Sequence, residues 1–316
     1  MSKYPEIDNK RARLYSIKDR FSKVQLDFLG KPVSADASMQ DWWDALPDIL
    51  IAKDLKALIA DIVDSRKRQK PVILMMGAHV IKVGLSPILI DLMDQGIITA
   101  LAMNGAGIIH DTELSMFGMT SEDVASNLFD GSFGMVKETG DFINGAIDAG
   151  VKEKLGLGET IGKALVEAKA KNLDISLLGQ AYLKDVPVTV HVGIGTDIIH
   201  QQPSTDGAAI GELSYRDFKI LAQHITGLDN GGVVLNVGSA VVLPEVFLKA
   251  LTVARNLGDP CKKFTTANFD MIQHYRPRVN VVTRPTMGGG QGYTFTGHHE
   301  IMIPLLAAGI KMGMKI

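Results

Sequence analysis

The 316-residue sequence lacks several features that would point to particular classes of protein. It has one cysteine, Cys261, so no internal disulfide can form and we expect a reducing, cytoplasmic environment. No apolar run approaches the roughly 20 residues that a membrane helix needs, and the polar N-terminus does not resemble a signal peptide. Lysine and arginine total 33 against 35 acidic residues, so no basic surplus is present for nucleic acid. These absences favour a globular protein whose partner is a small molecule.

Largely apolar runs recur at intervals that suit strands separated by helices. Such runs without polar alternation are typical of strands buried on both faces of a parallel sheet. We therefore predict an α/β fold: a doubly wound, mostly parallel six-stranded sheet of the Rossmann-like type. The predicted strands are Val72–Met76, Ile98–Met103, Val188–Val192 and Val233–Val237, with more polar candidates at Phe264–Phe269 and Val279–Thr283. Helices are predicted over residues 52–70, 86–95, 135–149, 158–171, 175–184, 214–226, 244–257 and 299–313.

The domain organisation follows from the same patterns. Residues 1–50 are predicted to form an N-terminal helical arm, and residues 51–316 one domain with a helical insertion at about 107–185. Trp42-Trp43 is expected to anchor the arm to its own body or to a neighbouring subunit, with a ligand lid as the alternative. Ser86 is predicted to cap a helix, and Thr120–Asp123 resembles a capping box.

Six of the eight histidines lie in glycine-rich stretches near a predicted strand end or helix start. Glycine lets backbone approach a ligand, and open α/β sheets bind ligands at the carboxyl ends of their strands, so we predict a small-molecule site there. Imidazole titrates near neutral pH, so His110, His200 and either His298 or His299 are the predicted acid–base groups. The acids expected to orient these imidazoles or to contact ribose hydroxyls are Asp111, Asp197, Asp206 and Glu300.

The same histidines allow other interpretations. They can hydrogen-bond carbonyls at strand ends, or join carboxylates in a zinc, iron or manganese site. No pair has the spacing that places two imidazoles on one helix face, and we predict no metal. The dinucleotide fingerprint G-x-G-x-x-G is absent after the first strand, where the turn is Gly77-Ala78-His79.

Several stretches together resemble deoxyhypusine synthase. They are Asn104–Asp111, Thr205–Ala208, Gly231–Gly238, Thr265–Ala267 and Ile303–Leu306, and the resemblance covers roughly residues 50–316. It implies a Rossmann-like NAD domain and a homotetramer with sites at subunit interfaces. It also implies that NAD oxidises spermidine and that an aminobutyl group passes through a lysine imine to a protein lysine.

The resemblance also implies contacts for particular residues. It puts a spermidine-contacting acid at or near Glu212. The NAD contacts it implies are Met76, Gly77, Ala78, His79, Val80, Asn104, Gly105, Ala106, Asp206, Gly238, Thr266 and Ala267; Asp197 joins them as an expected ribose contact.

The sequence departs from that family where the chemistry occurs. No lysine lies between Phe264 and Ile310, where the family has its imine-forming lysine, and a Schiff base needs an amine. The family's Lys-His-His after the fourth strand is replaced by Leu243–Glu245, and a polyamine-binding acid falls at His110. We expect an NAD-binding enzyme that acts on a less cationic small molecule without aminobutyl transfer to protein lysine.

Two alternatives remain open. One is a true deoxyhypusine or homospermidine synthase-type aminobutyl transferase that uses spermidine and a lysine recruited elsewhere, such as Lys82 near the first turn. The other is a non-catalytic sensor that binds NAD and reports its redox state through subunit packing.

Overall fold

The structure is a computed structural model that describes residues 2–315, and the chain divides between Lys53 and Asp54 into two compact units. The first unit has short 3-10 helices at Asn9–Arg11, Ile17–Asp19 and Leu26–Phe28 and the helix α1, Met39–Ala45. A capping box starts α1, because the Ser38 hydroxyl accepts the Asp41 N–H at 3.1 Å and the Asp41 carboxylate accepts the Ser38 N–H at 2.9 Å. None of residues 2–53 is buried.

The second unit is built on one sheet of six parallel strands. Its spatial order is β3-β2-β1-β4-β5-β6, and every neighbouring pair runs parallel. The predicted doubly wound, Rossmann-like α/β fold is thereby confirmed. The strands are β1 Val72–Met76, β2 Ala100–Asn104, β3 Val188–His191, β4 Val233–Val237, β5 Thr265–Asp270 and β6 Gln291–Thr296.

Helices cover both faces of this sheet. Two of the longest, α10 and α11, cover one face over a core that includes Ile73, Ile225, Val234 and Phe247. No helix among residues 2–315 is long and apolar enough to cross a membrane. The helices after α1 are α2 Leu50–Lys67, α3 His79–Lys82, α4 Ser86–Asp94, α5 Gly105–Phe117, α6 Val124–Asp130, α7 Lys137–Glu153, α8 Leu157–Glu167, α9 Leu177–Leu183, α10 Gly207–Thr226, α11 Val242–Asn256, α12 Tyr275–Pro277 and α13 His299–Met314.

The strand order reverses between β1 and β4. From β1 the chain builds β2 and β3 to one side, and from β4 it builds β5 and β6 to the other. The connections after these two strands therefore diverge, which opens a crevice outside their carboxyl ends. Open α/β sheets generally bind their ligands at this point, which makes it the candidate site in this protein.

The predicted strand at Val279–Thr283 is wrong. Residues Arg278–Thr283 form a π-helical turn that continues α12, because Pro277, Asn280 and Val281 are buried at helical spacing. The Asn280 amide donates to Glu245 Oε1 at 2.8 Å, which ties this turn to α11. The sixth strand is β6, where Tyr293 and Phe295 supply the aromatic residues that strands favour.

Three local features also differ from the sequence-based expectation. The glycine-rich stretch Asn104–Asp111 is helical from Gly105 onward, because α5 starts directly after β2. Ser86 is the first residue of α4 rather than its cap, and its hydroxyl is buried without a partner among residues 2–315. In the segment that resembled a capping box, Asp123 is the cap of α6 and accepts the Ser126 N–H at 2.8 Å.

Candidate functional site

Two glycines bring the ends of β1 and β4 into direct contact. The Gly77 N–H donates to the Val237 carbonyl at 2.9 Å, and a Cβ on Gly77 would lie 2.3 Å from the Gly238 carbonyl oxygen. Gly238 has φ of +68°, and a Cβ there would lie 2.7 Å from Cε1 of His299. Glycine is therefore required at both positions, because the Gly238 carbonyl and the His299 ring occupy the space that a Cβ would take.

His299 lies at this crevice with an unused hydrogen-bond acceptor. It is 1% exposed at the start of α13, and its Nε2–H donates to the Phe269 carbonyl at 3.2 Å. In the neutral ring this leaves the lone pair on Nδ1, which is buried with no partner among the described residues. The exposed ring of His79 lies edge-on to it, with 5.8 Å between ring centroids. A buried acceptor without a partner costs about 1–3 kcal/mol, which makes Nδ1 of His299 a candidate for a contact with a ligand.

His110 lies near the same short helix as His79. Its Nδ1 lies 2.7 Å from the Thr120 hydroxyl, which donates to Glu113 Oε2 at 2.5 Å, so Nδ1 is the protonated nitrogen and Nε2 has the lone pair. Burial lowers the pKa of His110, the positive charge of Lys82 lowers it further, and Glu113 opposes both. His110 is therefore set up as a neutral base on α5. Lys82, whose charge acts on it, lies one turn along α3 from His79.

A second polar centre follows β3. Nδ1 of His200 accepts the N–H groups of Gly195 at 3.1 Å and Asp197 at 3.2 Å, so the neutral ring has its proton on Nε2. That Nε2 is buried without a hydrogen bond, 4.0 Å from Asp197 Oδ2. The carboxylate lies against Gly105 at the start of α5, where a Cβ would be 2.0 Å from Oδ2. Burial raises the pKa of Asp197, and His200 counteracts that rise.

Two predicted acids instead cap helices. Both Asp111 oxygens are occupied, by the N–H groups of Leu177 at 2.8 Å and Leu178 at 3.1 Å and the Ser176 hydroxyl at 2.6 Å. Burial raises the pKa of Asp111 to about 6 in this cap of α9. Asp206 accepts the N–H groups of Ala208 and Ala209 at the start of α10. Neither carboxylate joins the imidazoles described above.

Other predicted residues lie apart from the crevice. Glu212 pairs with Arg216 at 2.8 Å on the exposed side of α10, and His298 and Glu300 are exposed, with 3.7 Å between Nδ1 and Oε1. Thr266 pairs with Val234 in the first half of β5, so at about 3.3 Å per residue Thr266 lies about 13 Å and Ala267 about 10 Å before Asp270, where the strand ends.

Across β4 and β5 lies a buried series of hydrogen-bonded amides that was not predicted from the sequence. Asn236 donates to Asn268 Oδ1 at 2.7 Å and to the Ser239 carbonyl at 2.9 Å, and Asn268 donates to Gln273 Oε1 at 2.7 Å. The signal was present, because Asn236 is the single polar residue in the apolar run of β4. These amide hydrogen bonds hold the loop after β4 in place beside Gly238.

Two cavities lie near the strand ends. One of about 440 Å³ is lined by Glu113 and Thr120, which hydrogen-bond in series with His110, and one of about 670 Å³ lies at the amino end of β3, where Val186–Val188 lead into the strand. We favour the strand carboxyl ends as the site because the unpartnered imidazole nitrogens lie there. Within residues 2–315, no three His, Cys, Asp or Glu side chains are grouped so that they could hold a metal ion.

Known structures share the fold at low identity. A conserved putative LOR/SDH protein from Methanococcus maripaludis S2 aligns with 82% of this chain and 69% of its own length, at 15% identity and a TM-score of 0.52. Unliganded AgrE aligns with 82% of this chain at 15% identity and a TM-score of 0.50, and the chain spans 32% of AgrE. A putative deoxyhypusine synthase from Entamoeba histolytica aligns with 89% of this chain and 95% of its own length, at 9% identity and a TM-score of 0.48. No family model and no curated protein matches the sequence.

These likenesses show the fold alone. The chain therefore belongs, by architecture, to the α/β proteins with a Rossmann-like parallel sheet. Its chemistry has to be argued from its own residues.

Proposed function

We propose that the protein is an NAD-binding enzyme that oxidises or reduces a small molecule in the crevice between β1 and β4. One observation carries the proposal: the buried, unpartnered Nδ1 of His299 lies beside Gly238, where the sheet order reverses. Crevices at this position of open α/β sheets bind dinucleotides. Gly77 and Gly238 add no side chains of their own at this point, where the ends of the two strands pack against each other and against the His299 ring.

The residues suit a redox reaction that also moves a proton. NAD, when bound, supplies a hydride acceptor. Nδ1 of His299 accepts the proton from a substrate hydroxyl or amine, while the bond from Nε2 to the Phe269 carbonyl holds the ring in place. His79, which is exposed and edge-on to that ring, would relay the proton to solvent. His110, kept neutral by burial and Lys82, provides a second base at the neighbouring strand end.

The test uses the full-length protein. Isothermal titration is expected to show binding of NAD⁺, and small hydroxy acids, amino acids and amines are then screened for NAD⁺ reduction by absorbance. Turnover is expected to fall by about 10²–10⁴-fold in His299→Leu and His110→Leu, the range for loss of an acid–base group. His224→Leu is the matched control, because His224 lies on α10 beside the cavity at the amino end of β3. Absence of NAD⁺ and NADH binding, or equal turnover in all variants, would contradict the proposal.

One observation favours a second candidate, the aminobutyl transferase. Lys82 is exposed and close enough to His110 to lower its pKa, so an amine is present at this edge of the sheet. In that case borohydride would trap a spermidine-derived imine on Lys82 in the presence of NAD⁺, and Lys82→Arg would prevent the adduct. Mass spectrometry that finds no adduct excludes this candidate.

A further inference from the structure

Asp197 and His200 form a second hydrogen-bonding centre, away from the His299 crevice. We call these two residues the diol centre. Both side chains are almost fully buried, at 6% and 4% exposure. Neither Nε2 of His200 nor the amide oxygen of the nearby Asn104 has a hydrogen-bond partner among residues 2–315. Buried polar atoms without partners are rare in folded proteins and need a reason.

The chemistry of the centre is defined by its tautomer. Two backbone N–H groups occupy Nδ1 of His200, so Nε2–H is a donor, and Asp197 Oδ2 is an acceptor 4.0 Å away. A hydroxyl oxygen about 2.8 Å from both atoms would subtend an angle near 90° between them, which is acceptable hydrogen-bond geometry. A hydroxyl both accepts and donates, whereas a phosphate oxygen can only accept. The pair therefore complements a hydroxyl group.

The position of the centre indicates which hydroxyl this is. The Asp197 carboxylate lies against Gly105, the residue that directly follows β2. In dinucleotide-binding sheets an acidic side chain about 20 residues after the glycine-rich turn contacts the ribose 2′-hydroxyl. Here the loop after β3 brings the acid to the end of β2, where the strand itself ends in the neutral Asn104.

We propose that Asp197 and His200 bind the 2′-hydroxyl of the adenosine ribose and make the protein selective for NAD⁺ over NADP⁺. This inference rests on the proposed function. A 2′-phosphate would bring about two negative charges against a buried carboxylate and would remove the hydroxyl proton that Asp197 accepts. Asp197 is the specificity-determining residue, and His200 is the donor that orients the hydroxyl.

The test measures binding rather than turnover. Dissociation constants of NAD⁺, NADP⁺, ADP-ribose and 2′-deoxy-NAD⁺ are determined by titration calorimetry for wild type, Asp197→Asn and Asp185→Asn. The control Asp185 is an exposed acid near the opposite end of β3. Wild type and the control are expected to bind NAD⁺ at least about tenfold more tightly than NADP⁺. Asp197→Asn is expected to bind NAD⁺ about tenfold more weakly than wild type does and to discriminate little between NAD⁺ and NADP⁺, because a charged hydrogen bond is lost.

The 2′-deoxy ligand probes the same contact without changing the protein. It is expected to bind wild type about tenfold more weakly than NAD⁺ and Asp197→Asn with no further loss. Equal affinity of wild type for NAD⁺ and 2′-deoxy-NAD⁺, or preference for NADP⁺, overturns the diol centre even if Asp197→Asn fails to fold. Failure of wild type to bind NAD⁺, NADP⁺ and ADP-ribose overturns the proposed function itself, so the two failures are distinguishable.

Discussion

Replacement of His299 by leucine tests whether this histidine serves the stability of the fold or the reaction. Wild type buries an unpartnered Nδ1, at a cost of about 1–3 kcal/mol, and gains about 0.5–1.5 kcal/mol from the bond between Nε2–H and the Phe269 carbonyl. Leucine removes both terms and has a similar volume. The free energy of unfolding of His299→Leu is therefore expected to lie between about 0.5 kcal/mol below and about 2.5 kcal/mol above that of wild type.

Urea unfolding followed by circular dichroism measures this difference, with His224→Leu as the reference for loss of an imidazole elsewhere. Turnover with any substrate found in the screen is expected to fall by about 10²-fold or more in His299→Leu. Destabilisation by more than about 3 kcal/mol would show that the ring is held for packing. Full activity in a stable variant would show that Nδ1 does not act as the base.

Three further predictions concern single residues and assembly. Gly238→Ala is expected to cost about 1–3 kcal/mol in urea unfolding, because φ is +68° and the new Cβ meets His299; unchanged stability would refute that contact. Burial raises the pKa of Asp217 to about 7, so the native state binds more protons than the unfolded state between about pH 4 and 7, and stability falls as pH rises through that window. Asp217→Asn should flatten this slope in unfolding titrations, and a slope equal to that of wild type would refute the assignment. Light scattering should give a tetramer, four times 34.1 kDa, as the family resemblance implies, and a monomer mass would contradict it.

The central strands could be predicted from local sequence. β1 and β4 have the predicted bounds because each is an unbroken apolar run buried on both faces, a pattern that few other structures produce. The same pattern wrongly predicted a strand at residues 279–283, since their β-branched residues pack as a helical turn against α11. There tertiary packing outweighed local propensity.

The site could be predicted only in part. Of the glycine-rich stretches, Gly77-Ala78-His79 does follow β1, and there Gly77 meets Gly238 and the ring of His79 lies edge-on to that of His299, whereas at Gly105 a helix starts directly after β2. Local sequence could not show that His299 turns inward whereas the adjacent His298 turns to solvent, because helix phase decides this. Nor could it show that Asp111 is used to cap α9, about 65 residues further along the chain.

The most direct test of the account is a crystal structure of the protein grown with NAD⁺. The account predicts the dinucleotide across the carboxyl ends of β1, β2 and β4, with its nicotinamide near Nδ1 of His299 and its adenosine ribose at Asp197. Density for NAD⁺ in the cavity at the amino end of β3, where Val186–Val188 lead into the strand, would contradict this expectation.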